Sequence, residues 1–258
     1  MLIMKKLSES ALPEKGVPEV AQAPALAVQV VPVKPFSECI VYKNNQLIGA
    51  VKPAGIPTQP DKTGDKAFIE VAEIYCKCTL FPIHRLDRTA SGLIVFAKSK
   101  QAANAMSEQF RGRTVKKTYL AIVGVRPAKD EDTLVHFIKK NEKKNVSTVC
   151  AEGTKGAERA ELHYKLIGES DRYFLLEIDL LTGRHHQIRA QLSAIGSPIK
   201  GDVKYGFRRS NGDRSIHLHA WKLSFDHPVS GERVNLEAEP PPEALWDFFM
   251  EGLNGNKS

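Results

Sequence analysis

The segment His84–Gly92, with the sequence HRLDRTASG, constrains this chain more than any other stretch of its 258 residues. One carboxylate, Asp87, lies between two arginines and close to a histidine. A Ser-Gly turn then leads into the uninterrupted apolar run Leu93–Ala97. Because polar and apolar residues do not alternate there, the pattern predicts a loop that enters a buried strand. Loops at strand ends are where rigid scaffolds display chemical groups.

Asp87 is the candidate catalytic residue of this segment. Positive charge on Arg85 and Arg88 favours the ionised form of a neighbouring carboxyl group, so we expect a base or a nucleophile and not a proton donor. On charge pattern alone, a surface ion-pair network is the commoner explanation of an Arg-x-Asp-Arg cluster. The pattern by itself leaves both interpretations open.

Length and composition limit the class of protein. The chain is long enough for one large domain or two small ones, and its 42% hydrophobic and 26% charged residues are typical of a soluble globular protein. No apolar stretch approaches the ~20 residues that cross a bilayer. The first residues lack the apolar core of a secretory signal and contain no arginine before Arg85, which argues against a transit peptide. We expect a cytoplasmic protein.

The net charge of +7 and the isoelectric point of 9.1 are compatible with polyanion binding and also with simple solubility. The distribution of the charge is more informative. Basic residues cluster at positions 111–117, 139–144 and 208–214, where we expect loops or strand entries. Such clusters are typical of phosphate contacts, although solvated loop charge explains any single one equally well.

Cysteine and histidine patterns argue against a metal centre. The four cysteines include Cys76 and Cys78, whose spacing does not fit a zinc knuckle and which have no matching second pair, so free thiols are expected. A cluster of histidines with Asp87 could be imagined as a metal site, but the arginines nearby would repel a cation. We expect no metal and hydrogen-bonding roles for the histidines at positions 84, 185, 186, 217 and 219.

Periodicity and capping residues predict an α+β fold with a mixed, mostly antiparallel sheet flanked by helices. Residues 1–35 contain five prolines and no helical or strand period, which predicts a flexible extension before a domain at 36–258. Predicted strands cover 40–42, 47–51, 93–97, 115–123, 160–166, 173–181, 216–225 and 234–239. Predicted helices cover 68–77, 99–110 and 185–194, with a last helix after Pro242 that includes Trp246 and Phe249.

A second segment, Leu181–Arg189, has the sequence LTGRHHQIR. If residues 185–194 form a helix, His185 and Arg189 share one face and His186 points elsewhere. A cation presented from that helix could pair with Asp87, although an ordinary surface arginine is the commoner reading. Tyr119, in the predicted strand, is by itself more often a core aromatic.

Five separated elements, in order, resemble motifs of the RluA-type pseudouridine synthases over about residues 36–250. HRLDRTASG is similar to the usual HRLDRxTSG, and GRHHQIR is similar to GRxHQIR, with His185 at the variable position. KPAG at 52–55 matches Lys-Pro-x-Gly, and Lys117 with Tyr119 matches K-x-Y. LHA at 218–220 with FDHP at 225–228 completes the set. Ordered motifs of this kind are far more specific than one short motif.

The resemblance implies the pseudouridine synthase fold and an isomerase that breaks the glycosidic bond of a uridine in RNA and rejoins the ring through carbon 5. Asp87 would be the essential carboxylate, attacking the anomeric carbon or abstracting a sugar proton. Arg189 would pair with Asp87, and Tyr119 would stack on the flipped uracil. Arg85 would fill the gap that the base leaves. Supporting positions in the motifs are His84, Arg88, Lys52, Arg184 and Gln187.

The resemblance also implies ribosomal or transfer RNA as the partner. It implies no cofactor, because the isomerisation has no redox step. We expect a monomer. Two departures from the family pattern stand out. Ala90 replaces the usual threonine, which removes a hydroxyl from the loop, and residues 1–35 are too short and proline-rich for the RNA-binding domain that some relatives carry. Two alternatives stay open: an RNA-binding protein whose catalytic site is vestigial, and a metal-dependent nuclease.

Overall fold

The computed structural model describes residues 35–255. Apart from Pro35, the predicted extension over residues 1–35 lies outside the described residues. The strands are β1 (Ile40–Lys43), β2 (Leu47–Lys52), β3 (Phe81–Pro82), β4 (Ser91–Ala97), β5 (Lys116–Val123), β6 (Glu131–Asn141), β7 (Val146–Cys150), β8 (Glu158–Glu169), β9 (Phe174–Leu180), β10 (Leu218–Asp226) and β11 (Arg233–Glu237). The helices are α1 (Phe36–Cys39), α2 (Phe68–Cys76), α3 (Lys100–Arg111), α4 (Gln187–Ala194) and α5 (Ala244–Gly255), with a 3-10 turn at Val203–Tyr205.

Within the described residues, the eleven strands form one sheet in the order β1-β2-β4-β10-β5-β9-β8-β6-β7, with β11 paired to β10 and β3 paired to β4. Strands β4 and β10 run parallel, with His219 opposite Ser91. The other strand pairs are antiparallel. This topology confirms the predicted α+β class and the mixed, mostly antiparallel sheet.

The centre of the sheet is buried on both faces, which explains its continuous apolar runs. All seven residues of β4 are buried. On β5, Leu120 and Ile122 pack against Trp246 and Phe249 of α5, while the alternate residues face the main core. The sheet therefore holds the loops at its strand ends on a rigid base.

Gly92 permits the parallel pairing of β4 with β10. Its φ angle is +116°, and a Cβ atom at this position would lie 2.4 Å from the backbone of Ala220. A side chain there would force the two strands apart, since no such contact is tolerated in proteins. The Ser-Gly pair that ends the HRLDRTASG segment is thus the beginning of β4 and not a turn before it.

The predicted elements are found within a few residues of their expected bounds, but the β6–β7 hairpin was missed. Strand β6 pairs with β8 on one side and β7 on the other, and most of its residues are exposed or half-buried. Charged and polar side chains at both ends of β6 hide the alternation by which strands are recognised. The basic cluster at 139–144 is the end of β6 and the turn of this hairpin.

Helix α4 begins at Gln187, two residues later than predicted, because His186 adopts a left-handed conformation with a φ angle of +52°. His185 and Arg189 therefore do not share a helix face. The prediction that His186 points away from Arg189 is also wrong, since the left-handed turn redirects its ring toward Asp87, the residue that Arg189 contacts.

Candidate active site

Asp87 lies in the Asp87 loop, residues 83–90, which joins β3 to β4. The hydroxyl of Thr58 donates to the carbonyl of Leu86 at 2.9 Å and accepts from its amide at 3.1 Å. The amide of Ala90 donates to the carbonyl of Asp87 at 3.1 Å, which closes a tight turn. The buried side chains of Leu86 and Ala90 anchor both ends of the turn, so the Asp87 carboxylate is presented at one place.

Lys52 braces this loop from beneath. Its side chain is fully buried, and its ammonium donates to the carbonyls of Pro53, Ile56 and Ala90 at 2.8–2.9 Å. Burial lowers the pKa of Lys52 to about 7, although the charge of the Asp87 carboxylate partly opposes this. Lys52 thus connects the segment after β2 with the end of the Asp87 loop, just before β4.

Arg189, which is 5% exposed, connects two carboxylates. Its Nε and Nη2 donate to the two oxygens of Asp202 at 2.7 and 2.9 Å, and its Nη1 donates to Asp87 Oδ2 at 3.0 Å. The ring of Tyr205 lies 4.8 Å from the guanidinium carbon. Burial lowers the pKa of Arg189, but Asp202 and Asp87 outweigh that effect and raise it, so the group is a permanent cation. The bidentate pair with Asp202 fixes the direction in which Arg189 meets Asp87.

His186 is the other group beside the Asp87 carboxylate, with its Nε2 at 3.7 Å from Asp87 Oδ2. Burial lowers the pKa of His186 to about 3, against the opposing charge of Asp87, so the ring is neutral at pH 7. Burial raises the pKa of Asp87, but His186 and Arg189 act against it and hold the pKa below its usual value. Since His186 is neutral at pH 7, Arg189 is the cation that keeps Asp87 ionised.

The expectation that Arg88 stabilises the charge of Asp87 is therefore wrong, whereas the same expectation for Arg85, which lines both cavities with Asp87, stays a prediction. Arg88 turns away to form ion pairs with Asp61 and Asp65, at 3.2 and 2.5 Å, and also contacts the hydroxyl of Thr63. Neighbours in sequence point in different directions in an extended loop, so adjacency along the chain did not mean proximity of the charges.

Two cavities meet at Asp87. The first, of about 380 Å³, contains Tyr119, Lys117, Asp87 and Arg189 and is closed by Phe110 and Leu218. Burial raises the pKa of Tyr119, with the charge of Asp87 acting in the same direction, so its hydroxyl stays protonated. The second cavity, of about 760 Å³, shares Arg85, Asp87 and Arg189 with the first and is lined further by Arg88, Asn145, Lys204 and Arg214.

His84, Arg184 and Gln187 also line the first cavity, and their contacts hold the segments around it in place. His84 accepts a hydrogen bond from the amide of Val95 at 3.1 Å and stacks on Phe110. Gln187 accepts from the hydroxyl of Thr182 at 2.7 Å and from the amide of Arg184 at 2.9 Å. Arg184 itself forms an ion pair with Glu158 on β8 at 2.6 Å, so the turn before α4 is fixed to the sheet.

Among residues 35–255, no three His, Cys, Asp or Glu side chains are grouped so as to hold a metal ion. His217 pairs with Glu243 at 2.6 Å, and His219 lies between the hydroxyl of Ser91 and the carbonyl of Ala238. The same part of the chain contains no helix that is long and apolar enough to cross a membrane.

Sequence reasoning missed Asp202 and Tyr205, and it misplaced His186. Asp202 is buried and lies 13 residues beyond its partner Arg189, so no short-range periodicity connects the two. The only available signal was an acid and an aromatic residue between two glycines, at positions 201 and 206, in an otherwise unassigned segment.

The geometry defines a class of protein: a mixed sheet that holds a half-buried, arginine-paired aspartate beside a tyrosine, in a cavity surrounded by basic residues. Comparison with known proteins gives the family. The model of the RNA pseudouridylate synthase family matches residues 46–194. An RNA pseudouridine synthase of Bacillus subtilis, YlyB, is 31% identical over 86% of this chain and 75% of its own length. Ribosomal large subunit pseudouridine synthase C of Rickettsia bellii is 32% identical over 80% of this chain and 69% of its own length.

Transfer RNA pseudouridine synthase C of Pectobacterium carotovorum is 28% identical over 83% of this chain, which spans 60% of that enzyme. A solved structure, human RNA pseudouridylate synthase domain containing 4, aligns with a TM-score of 0.68 at 25% identity and covers 85% of this chain and 94% of its own. The chain belongs to the RNA pseudouridylate synthase family, in its RluA type, and is an isomerase that acts on RNA.

Proposed function

We propose that the chain converts uridines of ribosomal or transfer RNA to pseudouridine, with Asp87 as the essential catalytic residue. One observation carries the proposal: the Asp87 carboxylate, ionised and held by Arg189 at 3.0 Å, faces a cavity that also contains Tyr119. An anionic group of fixed direction is what attack on a sugar carbon or removal of a sugar proton requires. Both routes stay open.

The roles of the other residues follow from their positions. Tyr119 offers an aromatic face on which the extruded uracil stacks, an interaction of ~1–3 kcal/mol per base. Arg85 is exposed and lines both cavities, so its planar guanidinium is placed to enter the gap that the base leaves in the RNA. His84, Arg88, Lys52, Arg184 and Gln187 support the loops around the site.

The choice of RNA rests on the relatives, which by their names act on ribosomal or transfer RNA. The basic clusters at 139–144 and 208–214 approach the cavities through Lys140 and Arg214 and would contact phosphates on either side of the target. We further propose that the protein works in the cytoplasm as a monomer and without a cofactor or metal. A vestigial RNA-binding protein is not favoured, because Asp87, Tyr119 and Arg189 are all present and in one place.

Nucleoside analysis tests the proposal. Purified protein is incubated with ribosomal and transfer RNA isolated from cells that lack it, and pseudouridine is counted after digestion. We expect wild-type protein and Asp171→Asn, a control at an exposed aspartate, to form pseudouridine. Asp87→Asn should be at least ~10³-fold slower while its RNA affinity stays within about twofold. Turnover by Asp87→Asn without deamidation back to aspartate would defeat the assignment, and RNA cleavage that EDTA stops would favour a nuclease.

A further inference from the structure

A chain of contacts connects the β6–β7 hairpin with Asp87. The amide of Ser147, at the beginning of β7, donates to the hydroxyl of Tyr205 at 2.7 Å. The same hydroxyl lies 2.9 Å from Nδ1 of His186. On the other side of its ring, Nε2 of His186 faces Asp87 Oδ2 at 3.7 Å. These contacts form a continuous series from the backbone of the hairpin to the candidate catalytic carboxylate.

The contacts of His186 favour one position for the proton of its neutral ring. A phenolic hydroxyl has one proton to donate, and here it already accepts from the amide of Ser147. If it donates to Nδ1, the neutral ring of His186 carries its proton on Nε2 and presents an N–H to the anion. The opposite tautomer would place a lone pair against the carboxylate, which is repulsive. The charge of Asp87 thus favours the tautomer with the proton on Nε2, and the free proton of the Tyr205 hydroxyl can be donated to Nδ1 in that tautomer.

The backbone of His186 adopts a left-handed conformation that is uncommon for a residue with a side chain. Its φ angle is +52°, a conformation that glycine or asparagine adopts more easily than histidine. Strained residues of this kind are concentrated at functional sites, where the surrounding structure holds them in place. The cation-bearing helix α4 begins directly after this residue, so the same turn orients both groups that touch Asp87.

His185 connects the same turn to the hairpin a second time. Its ring stacks on that of His186, with the centroids 3.8 Å apart. Its Nδ1 lies 2.8 Å from the hydroxyl of Ser147, and its Nε2 lies 3.1 Å from the side-chain oxygen of Asn145. Both partners belong to the β6–β7 hairpin, which carries Lys139 and Lys140 at the end of β6 and Lys143 and Lys144 in its turn.

We propose that His186 is a positioning residue for Asp87, and that the β6–β7 hairpin holds it in that role through Tyr205 and His185. This inference rests on the proposed function. The 3.7 Å separation is longer than a hydrogen bond, and contacts of this kind in catalytic sites commonly shorten when substrate binds. RNA that binds the basic hairpin would thereby order the group that aims the carboxylate.

Single-atom changes test the chain of contacts on RNA from cells that lack the protein. Tyr205→Phe removes the hydroxyl and keeps the ring beside Arg189. Tyr164→Phe is the matched control, since that buried tyrosine donates to the carbonyl of Lys129, outside both cavities. We expect Tyr205→Phe to lower kcat ~10- to 100-fold with KM changed less than about twofold, and Tyr164→Phe to leave both unchanged.

His186 offers a conservative pair of variants. His186→Asn suits the left-handed backbone but lacks a donor that reaches Asp87, whereas His186→Gln places an amide N–H near the position of Nε2. We expect Gln to retain more activity than Asn, and the double variant Tyr205→Phe/His186→Asn to lose no more than His186→Asn alone, because Tyr205 acts through His186. Nitrogen NMR of labelled histidine in the RNA-free protein should show a protonated Nε2 and an unprotonated Nδ1 at His186.

The outcomes separate this inference from the proposed function. Wild-type kcat in Tyr205→Phe and His186→Asn, with Asp87→Asn inactive, would overturn the positioning role and leave the function intact. A protonated Nδ1 at His186, or losses that multiply in the double variant, would also overturn it. Activity in Asp87→Asn would instead overturn the proposed function, while the histidine tautomer is measured without any turnover.

Discussion

Arg189 and Lys140 are both cations that line the cavity beside Asp87, but they differ in burial and in their ion-pair partners. Arg189 is 5% exposed and bound to two carboxylates. Lys140 is exposed and forms an ion pair with Glu142 at 2.8 Å. We call the first region the floor, which comprises Lys52, Asp87, His186, Arg189 and Asp202. The second is the rim, which comprises Lys139, Lys140, Lys143, Lys144, Arg208, Arg209 and Arg214.

The difference shows how one protein uses positive charge for two tasks. In the floor, burial makes each charge costly unless it is paired, so the pairs fix geometry. In the rim, water and salt screen each charge, so the residues contribute to RNA affinity together and not singly. Changes in the floor should therefore affect turnover and stability, and changes in the rim should affect binding.

The largest effect is expected from Arg189→Met. Removal of the cation leaves Asp202 and Asp87 as uncompensated carboxylates, which should lower the free energy of unfolding by ~3–5 kcal/mol and turnover by at least ~10³-fold. Urea denaturation and nucleoside analysis measure the two quantities. Arg184→Met, at a half-buried arginine paired with Glu158, should cost less than about 1 kcal/mol. Equal losses of unfolding free energy in Arg189→Met and Arg184→Met would contradict the distinction between the floor and the surface.

Lys52→Met should be the next most damaging change. Three carbonyls lose their donor, and we expect the free energy of unfolding to fall by ~2–4 kcal/mol near pH 7. A methionine of similar length limits the loss to the ammonium group. Lys98→Met, at a half-buried lysine that donates to the carbonyl of Asn44, is the matched control and should cost about 1 kcal/mol or less.

Lys52 also predicts a pH dependence. Its pKa is about 7 in the folded protein and near 10.5 when unfolded, so the unfolded chain binds more protons between those values. Stability from this residue should therefore rise with pH from about 7 to 10.5, by at most ~1.4 kcal/mol per pH unit, and be flat below pH 7. The difference in unfolding free energy between wild type and Lys52→Met, measured by urea titration at several pH values, isolates this contribution. A difference that falls over this range would contradict the assignment.

In the rim, the double variant Lys143→Ala/Lys144→Ala should weaken RNA binding several-fold and reduce the slope of log Kd against log salt by about 2. Stability should change by less than about 0.5 kcal/mol. Lys129→Ala is the control, because its partner Asp132 lies at the opposite end of β6 from the hairpin turn. A change in kcat with unchanged affinity would show that these lysines act on the floor directly.

The smallest effect is expected from Arg88→Met. This arginine pairs with Asp61 and Asp65 at the surface, so its loss should cost about 1 kcal/mol or less, and turnover should fall by less than about tenfold. The measurement is kcat with the same RNA. A loss as large as that of Arg189→Met would restore the view that Arg88 stabilises the charge of Asp87.

Some strands could be predicted from the sequence alone, and others could not. The run from Leu93 to Ala97 and the alternation around β8 and β9 predicted strands correctly, because burial on one or both faces leaves a direct pattern. The hairpin at the sheet edge was missed since its exposed residues carry no such constraint.

The site followed the same logic. A resemblance through ordered motifs indicated Asp87, Tyr119 and Arg189, and the fold places all three around one cavity. The partners that orient them could not be predicted, because Asp202, Tyr205 and the left-handed turn at His186 arise from packing between distant segments. Local charge rules failed at Arg88, where the direction of the side chain mattered more than its place in the sequence.

The central claim is that Asp87 carries out uridine isomerisation in a particular RNA. Carbodiimide-block primer extension on total RNA from cells lacking the protein, complemented with wild type or Asp87→Asn, tests it most directly. We predict at least one pseudouridine stop that is lost in the deletion and restored only by wild type. No changed site in any ribosomal or transfer RNA, or a site that Asp87→Asn restores equally, would contradict the account.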